Sequence, residues 1–301
     1  MPHASRIKLA DTAFTAGLAA AAGGYLLLLV LLVAADLAFL SATPAGGGDQ
    51  TGGNQNVSDQ GGGGLGGGGL GGAFAQAWAD PNIRYAVRLT LVSCTLSTVL
   101  AMLVAVPAGY LFSRSAFRAK PLLDTLMDIP IVLPPLTVGL SLLILLQLAP
   151  AWLQRMVVYQ PAAVVLAQFV VAAALAVRTM RAAFDQIDPR LEQVARTLGA
   201  TRAQAFGWVT LAEARPGMIT AATLAWARSL GEFGPLLVFA GATRGKTEVL
   251  ATTVYLELSA GNLRGAVAVS LMMIATAVVV LTAARLLHAR WGRVQSSSSG
   301  S

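Results

Sequence analysis

The sequence predicts an all-α membrane protein with six transmembrane helices. Three observations carry that reading. Hydrophobic residues make up 55% of the 301 residues and charged residues only 12%, about half the ~25% usual in soluble domains. The mean hydropathy is +0.67. The apolar residues gather into six blocks, and a helix needs about 20 such residues to cross a hydrocarbon core of about 30 Å.

The elements follow in order. Residues 1–13 form a short basic stub carrying Arg6 and Lys8. Phe14 to Leu40 is apolar apart from Asp36 and reads as an uncleaved first span, because a signal peptide has a shorter apolar region and a clearer cleavage site. Residues 41–72 are a low-complexity insert that includes GGGGLGGGGLGG. Glycine carries the largest ordering cost and almost no side chain here offsets it, so a disordered, dispensable loop is expected. Residues 73–87 read as an interfacial helix anchored by Trp78 and Tyr85. Span two is about Leu89–Phe112, span three Leu126–Leu148, span four Ala162–Val177, span five Met218–Ala240 and span six Ala266–Leu287. The core then covers 73–290, and 291–301 is a disordered Ser-rich tail.

Six spans place both termini on one side, and Lys and Arg decide which. With the N-terminus inside, the inner segments hold Arg6, Lys8, Arg114, Arg118, Lys120, Arg178, Arg181, Arg190, Arg196, Arg202, Arg215, Arg285, Arg290 and Arg293. The outer segments hold Arg84, Arg88, Arg155, Arg244, Lys246 and Arg264. The excess puts both termini in the cytoplasm and the Gly-rich loop outside. The net charge of +7 is therefore an orientation signal, and no DNA-reading motif accompanies it. The single Cys94 lies in an apolar run and reads as a small core residue. Two His at opposite ends give no metal site.

Between spans four and five lies a polar, Arg-rich stretch, residues 188–217. Asp188 can cap a helix whose first turn holds Pro189. Leu191, Val194, Ala195 and Leu198 share one face, and Gly199 is placed to stop the helix. Thr201 can cap a second short helix, Arg202 to Val209, with Pro216 and Gly217 closing the unit. Either this is a solvated loop with two helical turns, or it is a knob kept on the surface to dock something. By the charge pattern it lies in the cytoplasm.

Two interior stretches stand out. Span three carries Asp128-Ile129-Pro130 and Leu133-Pro134-Pro135. Prolines free backbone carbonyls, which is tolerated where they face protein or a water-filled path. The stretch reads as a kinked helix or as a broken helix lining a pathway. Span five carries Arg228, Ser229, Gly231, Glu232 and Gly234. An ionised residue at mid-membrane costs roughly 2.5–3.5 kcal/mol even on insertion scales. Arg228 and Glu232 are four apart and can pair on one helix face. That pair either fixes helix packing or borders a permeation path, with Gly231 and Gly234 permitting close approach or a break. Residues Thr247–Leu258 read as an amphipathic helix on the outer face: an exit cap, a contact for a substrate-delivering protein, or an interfacial helix.

The 188–217 stretch resembles the EAA loop of ABC-transporter permeases, E-A-A-x3-G-x9-I-x-L-P. Gln193, Val194 and Ala195 stand at E-A-A with Glu192 one place earlier. Gly199 matches the glycine, Val209 the Ile and Leu211 the Leu, while Ala212 replaces the proline. DIPIVLPPLTVG, ARSLGEFGPLLVFAG and TEVLATTVYLELSAGN are similar to stretches of the molybdate and sulfate permeases. The resemblance spans about residues 89–287. It implies a type I ABC importer permease fold with a cytoplasmic coupling helix, in which Glu192, Gln193, Val194, Ala195, Gly199, Phe206 and Leu211 serve the coupling. Pro134, Pro135, Arg228, Ser229, Gly231, Glu232 and Gly234 become pathway or gate residues. The implied partners are cytoplasmic ATPase subunits, an extracytoplasmic oxyanion-binding protein and a second permease copy or paralogue. The implied cargo is molybdate, or else sulfate or tungstate, and the implied location is the inner (plasma) membrane.

ATP hydrolysis needs G-x4-G-K-[ST]. Before Gly245-Lys246-Thr247 the required glycine is Ala240, so no P-loop forms; ATP and Mg belong to the partner ATPase, and this chain binds no cofactor. An ion-coupled secondary transporter would show paired broken helices and internal symmetry, and the two halves show no repeat. A membrane anchor or scaffold without transport would not need Arg228 and Glu232 inside a span.

Overall fold

A computed structural model describes residues 78–114 and 120–298, with the isolated positions 34, 37 and 38. The first span is otherwise outside the described residues, and so are the Gly-rich insert and the last three positions.

Helix α1 spans Pro81–Arg114. Asp80 Oδ1 accepts from the Asn82 amide at 2.8 Å, and Pro81 suits a first turn. The helix therefore starts at residue 81 and runs without interruption into span two. From Pro81 onward there is no separate interfacial helix, contrary to the sequence expectation for 73–87. Span three is two helices, α2 (Lys120–Val132) and α3 (Pro135–Gln147). The chain is extended at Pro134, with φ −53° and ψ 133°, because the residue before a proline is pushed out of the helical region. A short α4 (Ala151–Val157) leads through Tyr159 to α5 (Pro161–Asp185). Tyr159 has φ 55° and lies over Gly241, whose own φ is 67°.

The knob comprises α6 (Pro189–Thr197) and α7 (Arg202–Ala205), then a π-helical stretch Phe206–Thr210 and a last turn Leu211–Glu213. The second helix is thus α-helical only to Ala205, not to Val209 as the sequence implied. Pro216 does not close the unit. It occupies the first turn of α8 (Arg215–Leu230), where its missing N–H has no partner to lose. After α8 the chain is non-helical through residues 231–233 and returns as a second π stretch, Leu236–Ala240. Helix α9 (Leu250–Ser259) precedes α10 (Leu263–Ser298). The last helix passes the boundary expected at 290: extending a helix adds one hydrogen bond per residue, and serine is a middling rather than a prohibitive helix former.

Among the described residues, three helices are long and apolar enough to cross a membrane: α1, α5 and the Leu263–Leu286 part of α10. Spans three and five miss that length because each is broken.

The core lies where α1, α5 and α8 cross. Ala101, Ala105, Ala172, Ala176, Ala221 and Ala225 are fully buried there. Small residues let helix backbones approach when apolar surface alone gives no preference for protein over lipid. A Cβ on Gly109 would lie 2.8 Å from Met180 Cβ, and one on Gly217 2.3 Å from Ala183 Cβ. The opposite side of α1 exposes Leu91, Val92, Leu96, Val99 and Leu103, as lipid requires. Helix α9 is less free than an outer amphipathic helix would be. Leu250, Thr252, Thr253 and Glu257 are buried, the Leu250 amide donates to Thr90 Oγ1 at 2.9 Å, and Arg244 pairs with Glu257 at 2.7 Å.

Candidate functional site: a polar knob and an interlocked helix break

The helices of the knob are capped at their ends. Asp188 Oδ1 accepts from the Arg190 amide at 2.9 Å. Thr201 and Gln204 form a reciprocal capping box, which satisfies two otherwise orphaned amides. Gly199 adopts φ 95°, the left-handed conformation that ends α6. The Asp188, Gly199 and Thr201 assignments from the sequence are thus met. The same stretch leaves apolar side chains exposed: Val194 is 57% exposed, Trp208 71% and Leu198 84%.

The seven coupling candidates divide by direction. Gln193, Val194 and Gly199 are exposed, and Ala195 and Leu211 half-buried. Glu192 and Phe206 face the bundle. Glu192 accepts from the Tyr110 hydroxyl at 2.7 Å and from Thr210 Oγ1 at 3.4 Å. Phe206 packs on Tyr110 with ring centroids 4.6 Å apart. Sequence reasoning missed Trp208, which sits in a segment taken as ordinary α-helix, and Tyr110, which belongs to a distant span.

The second locus joins the two broken spans. A Cβ on Gly139 of α3 would lie 2.7 Å from Pro235 Cα. A Cβ on Gly234 would lie 2.7 Å from Pro135 Cβ and 3.0 Å from the Leu136 nitrogen. The start of α3 and the break after α8 therefore interlock backbone to backbone. Gly234 serves close approach as expected. Gly231 does not: a Cβ there would meet nothing within 4 Å, and it terminates α8. Pro134 and Pro135 are exposed beside this crossing.

Arg228 and Glu232 do form their i,i+4 pair. The two partners differ: Glu232 is 1% exposed, and the Arg228 side chain 35%. Glu232 Oε1 is buried without a hydrogen-bond partner. Ser229 is buried and donates to the Ala225 carbonyl at 3.0 Å. Its own carbonyl, left over at the end of α8, accepts from the Glu232 amide at 3.3 Å and from Gln168 Nε2 at 3.2 Å. Gln168 also accepts from Ser97 Oγ at 3.3 Å. This buried glutamine on α5 thus satisfies a backbone group that the helix break released, as non-helical backbone at membrane depth requires. It gave no sequence signal beyond being a polar residue in an apolar run. Among the described residues no cluster of His, Cys, Asp and Glu could hold a metal ion.

Apolar helices around an interlocked break, with a capped polar knob at one end, are the build of a membrane-embedded protein. Residues 71–293 match the family described as binding-protein-dependent transport system inner membrane component, and the chain belongs to that family. It is similar to the sulfate transport system permease protein CysT of Escherichia coli, at 30% identity over 230 residues, 73% of this chain and 83% of that one. It is 36% identical over 210 residues to the molybdenum transport system permease protein ModB of the same organism, covering 64% of this chain and 92% of ModB. The fold matches a chain of a bacterial ABC transporter that imports the acidic polysaccharide alginate, with TM-score 0.57 and 19% identity over 73% of this chain and 83% of that one.

Proposed function

We propose that this chain is the membrane-spanning subunit of an ATP-binding cassette importer for a tetrahedral oxyanion. Molybdate is the proposed cargo, with sulfate or tungstate as the alternatives. The observation that carries the reading is the knob, a capped element whose exposed Val194, Leu198 and Trp208 offer a separate protein an apolar grip. Supporting it, the similarity to ModB runs along nearly the whole of that permease.

In this reading the chain crosses the membrane six times, with the first span before residue 41 and spans three and five each made of two pieces. Both termini and the knob face the cytoplasm, as the Lys and Arg distribution favours. Two permease copies, or this chain and a paralogue, enclose the pathway. A cytoplasmic ATPase subunit seats on each knob as a coupling helix, and an extracytoplasmic binding protein delivers the anion. ATP-driven closure of the ATPases moves the knobs, and α5 and α8, continuous with the knob at its two ends, carry the displacement to the crossing of Gly139, Gly234 and Pro235. The Arg228–Glu232 pair borders that crossing with little net charge.

The test is reconstitution of the chain with its candidate ATPase and binding protein in liposomes. Co-elution of the ATPase and hydrolysis stimulated by molybdate-loaded binding protein are expected. An ATPase that fails to co-elute, or hydrolysis indifferent to all three anions, would refute the proposal.

A further inference from the structure

Glu192 lies in the knob yet does not point away from the bundle. Its Oε1 accepts from the Tyr110 hydroxyl at 2.7 Å and its Oε2 from Thr210 Oγ1 at 3.4 Å. Tyr110 is near the end of α1, a helix otherwise joined to the knob by no continuous chain. Its ring is clamped between Phe184 at the end of α5, centroids 5.7 Å apart, and Phe206 of the knob, 4.6 Å apart. Phe184 is fully buried. Beside this cluster Arg114 Nη2 donates to the Ile187 carbonyl at 2.9 Å, just before the knob begins. The carboxylate can take both donors at once only while α6 and the Phe206–Thr210 stretch keep their present angle to α1. Hydrogen bonds to a charged acceptor are also the stronger kind.

We propose that Glu192 is a positioning residue: with Tyr110 and Thr210 it forms a polar latch that fixes the knob to α1, so that a push on the knob moves the bundle instead of turning the knob alone. The functional part rests on the knob being the ATPase contact; the mechanical part does not. Glu192 therefore serves transmission from behind the docking surface rather than contact on it.

Two measurements separate those parts. In the first, Cys94 is replaced by Ala, a nitroxide label is placed at Arg196→Cys, and its mobility is read by electron paramagnetic resonance in the isolated chain. Tyr110→Phe keeps the ring and removes only the hydroxyl. It is expected to increase the mobile fraction of the label about tenfold or more, consistent with losing one hydrogen bond to a charged group. Glu192→Ala is expected to do the same, whereas Glu192→Gln, whose single neutral amide oxygen can keep the Tyr110 bond but not the Thr210 one, falls between that variant and the parent. Unchanged mobility in both Tyr110→Phe and Glu192→Ala, with the chain still folded by its melting profile, would overturn the latch. In the second, the Tyr110→Phe chain is assembled with the ATPase. Undiminished co-elution with reduced anion uptake per ATP supports transmission through the latch, and unaltered uptake per ATP overturns it. If the parent chain itself fails to bind the ATPase, the coupling reading falls while the mobility result still decides the latch.

Discussion

At the residue scale, two buried carboxylates have opposite logic. Glu232 is paired and buried, and its partner Arg228 is partly exposed. Removing Arg228 strands a fully buried acid, whereas removing Glu232 leaves a cation on the exposed side of α8; breaking a buried pair from the costly side typically costs about 3–5 kcal/mol. Arg228→Ala should therefore lower the melting temperature in detergent clearly more than Glu232→Ala, and equal losses would contradict the asymmetry. Glu248, in the loop before α9, is 1% exposed. Burial pushes its carboxyl above the ordinary value of 4.5, against the opposing Thr253 hydrogen bond and Arg244 charge. The folded state thus holds the proton more tightly than the unfolded one. That contribution is fully present below pH 4.5 and is lost as pH rises through the raised value. Glu248→Gln should stabilise the protein at neutral pH, and the gain should shrink in melting curves below pH 4.5. Neither effect was legible in the sequence, since burial of a polar side chain depends on helices far apart in the chain.

At the scale of elements, caps and breaks were legible and crossings were not. Asp188, Gly199 and Thr201 mark their helix ends through local chemistry, which depends on a handful of neighbouring residues. The proline pair at 134 and 135 likewise announced a kink or a break, because a ring without an N–H cannot continue a ladder, and the structure has the break. That the break would seat against Gly234 and Pro235 was invisible: Gly139 is a glycine among leucines until its partner is known. Substitution of Gly139 by Val should disturb the crossing by overpacking, at about 1–3 kcal/mol, and abolish uptake while ATPase binding persists. Loss of ATPase binding as well would mean that the two loci are not separate. Gly199→Asp should act at the other locus. No atom lies within 4 Å of its missing Cβ, so the damage is backbone strain of about 1–2 kcal/mol and a new charge on the docking surface. Pull-down of the ATPase should fail while membrane insertion stays normal; retained pull-down would show that α6 tolerates a different ending.

For the molecule as a whole, the spans came from hydropathy and the sidedness from basic residues. Cysteines placed at Arg196 and Arg202 should react with a membrane-impermeant maleimide only in inside-out vesicles. Labelling from the outside would invert the topology and remove the knob from any cytoplasmic ATPase. What hydropathy could not resolve was continuity. Spans three and five each read as one apolar block, yet each contains a break, because a transfer scale weighs side chains and ignores whether the backbone can remain helical.

The two π-helical stretches carry a further implication. Each holds more residues per turn than an α-helix would, and they sit in the knob and just past the interlocked crossing. Excising one residue from Leu236–Ala240 would let the ladder close in its commoner form and leave the residues on either side nearly in phase. A one-codon deletion is therefore better absorbed inside these two stretches than in the regular helices beside them, where it turns everything downstream by about 100°.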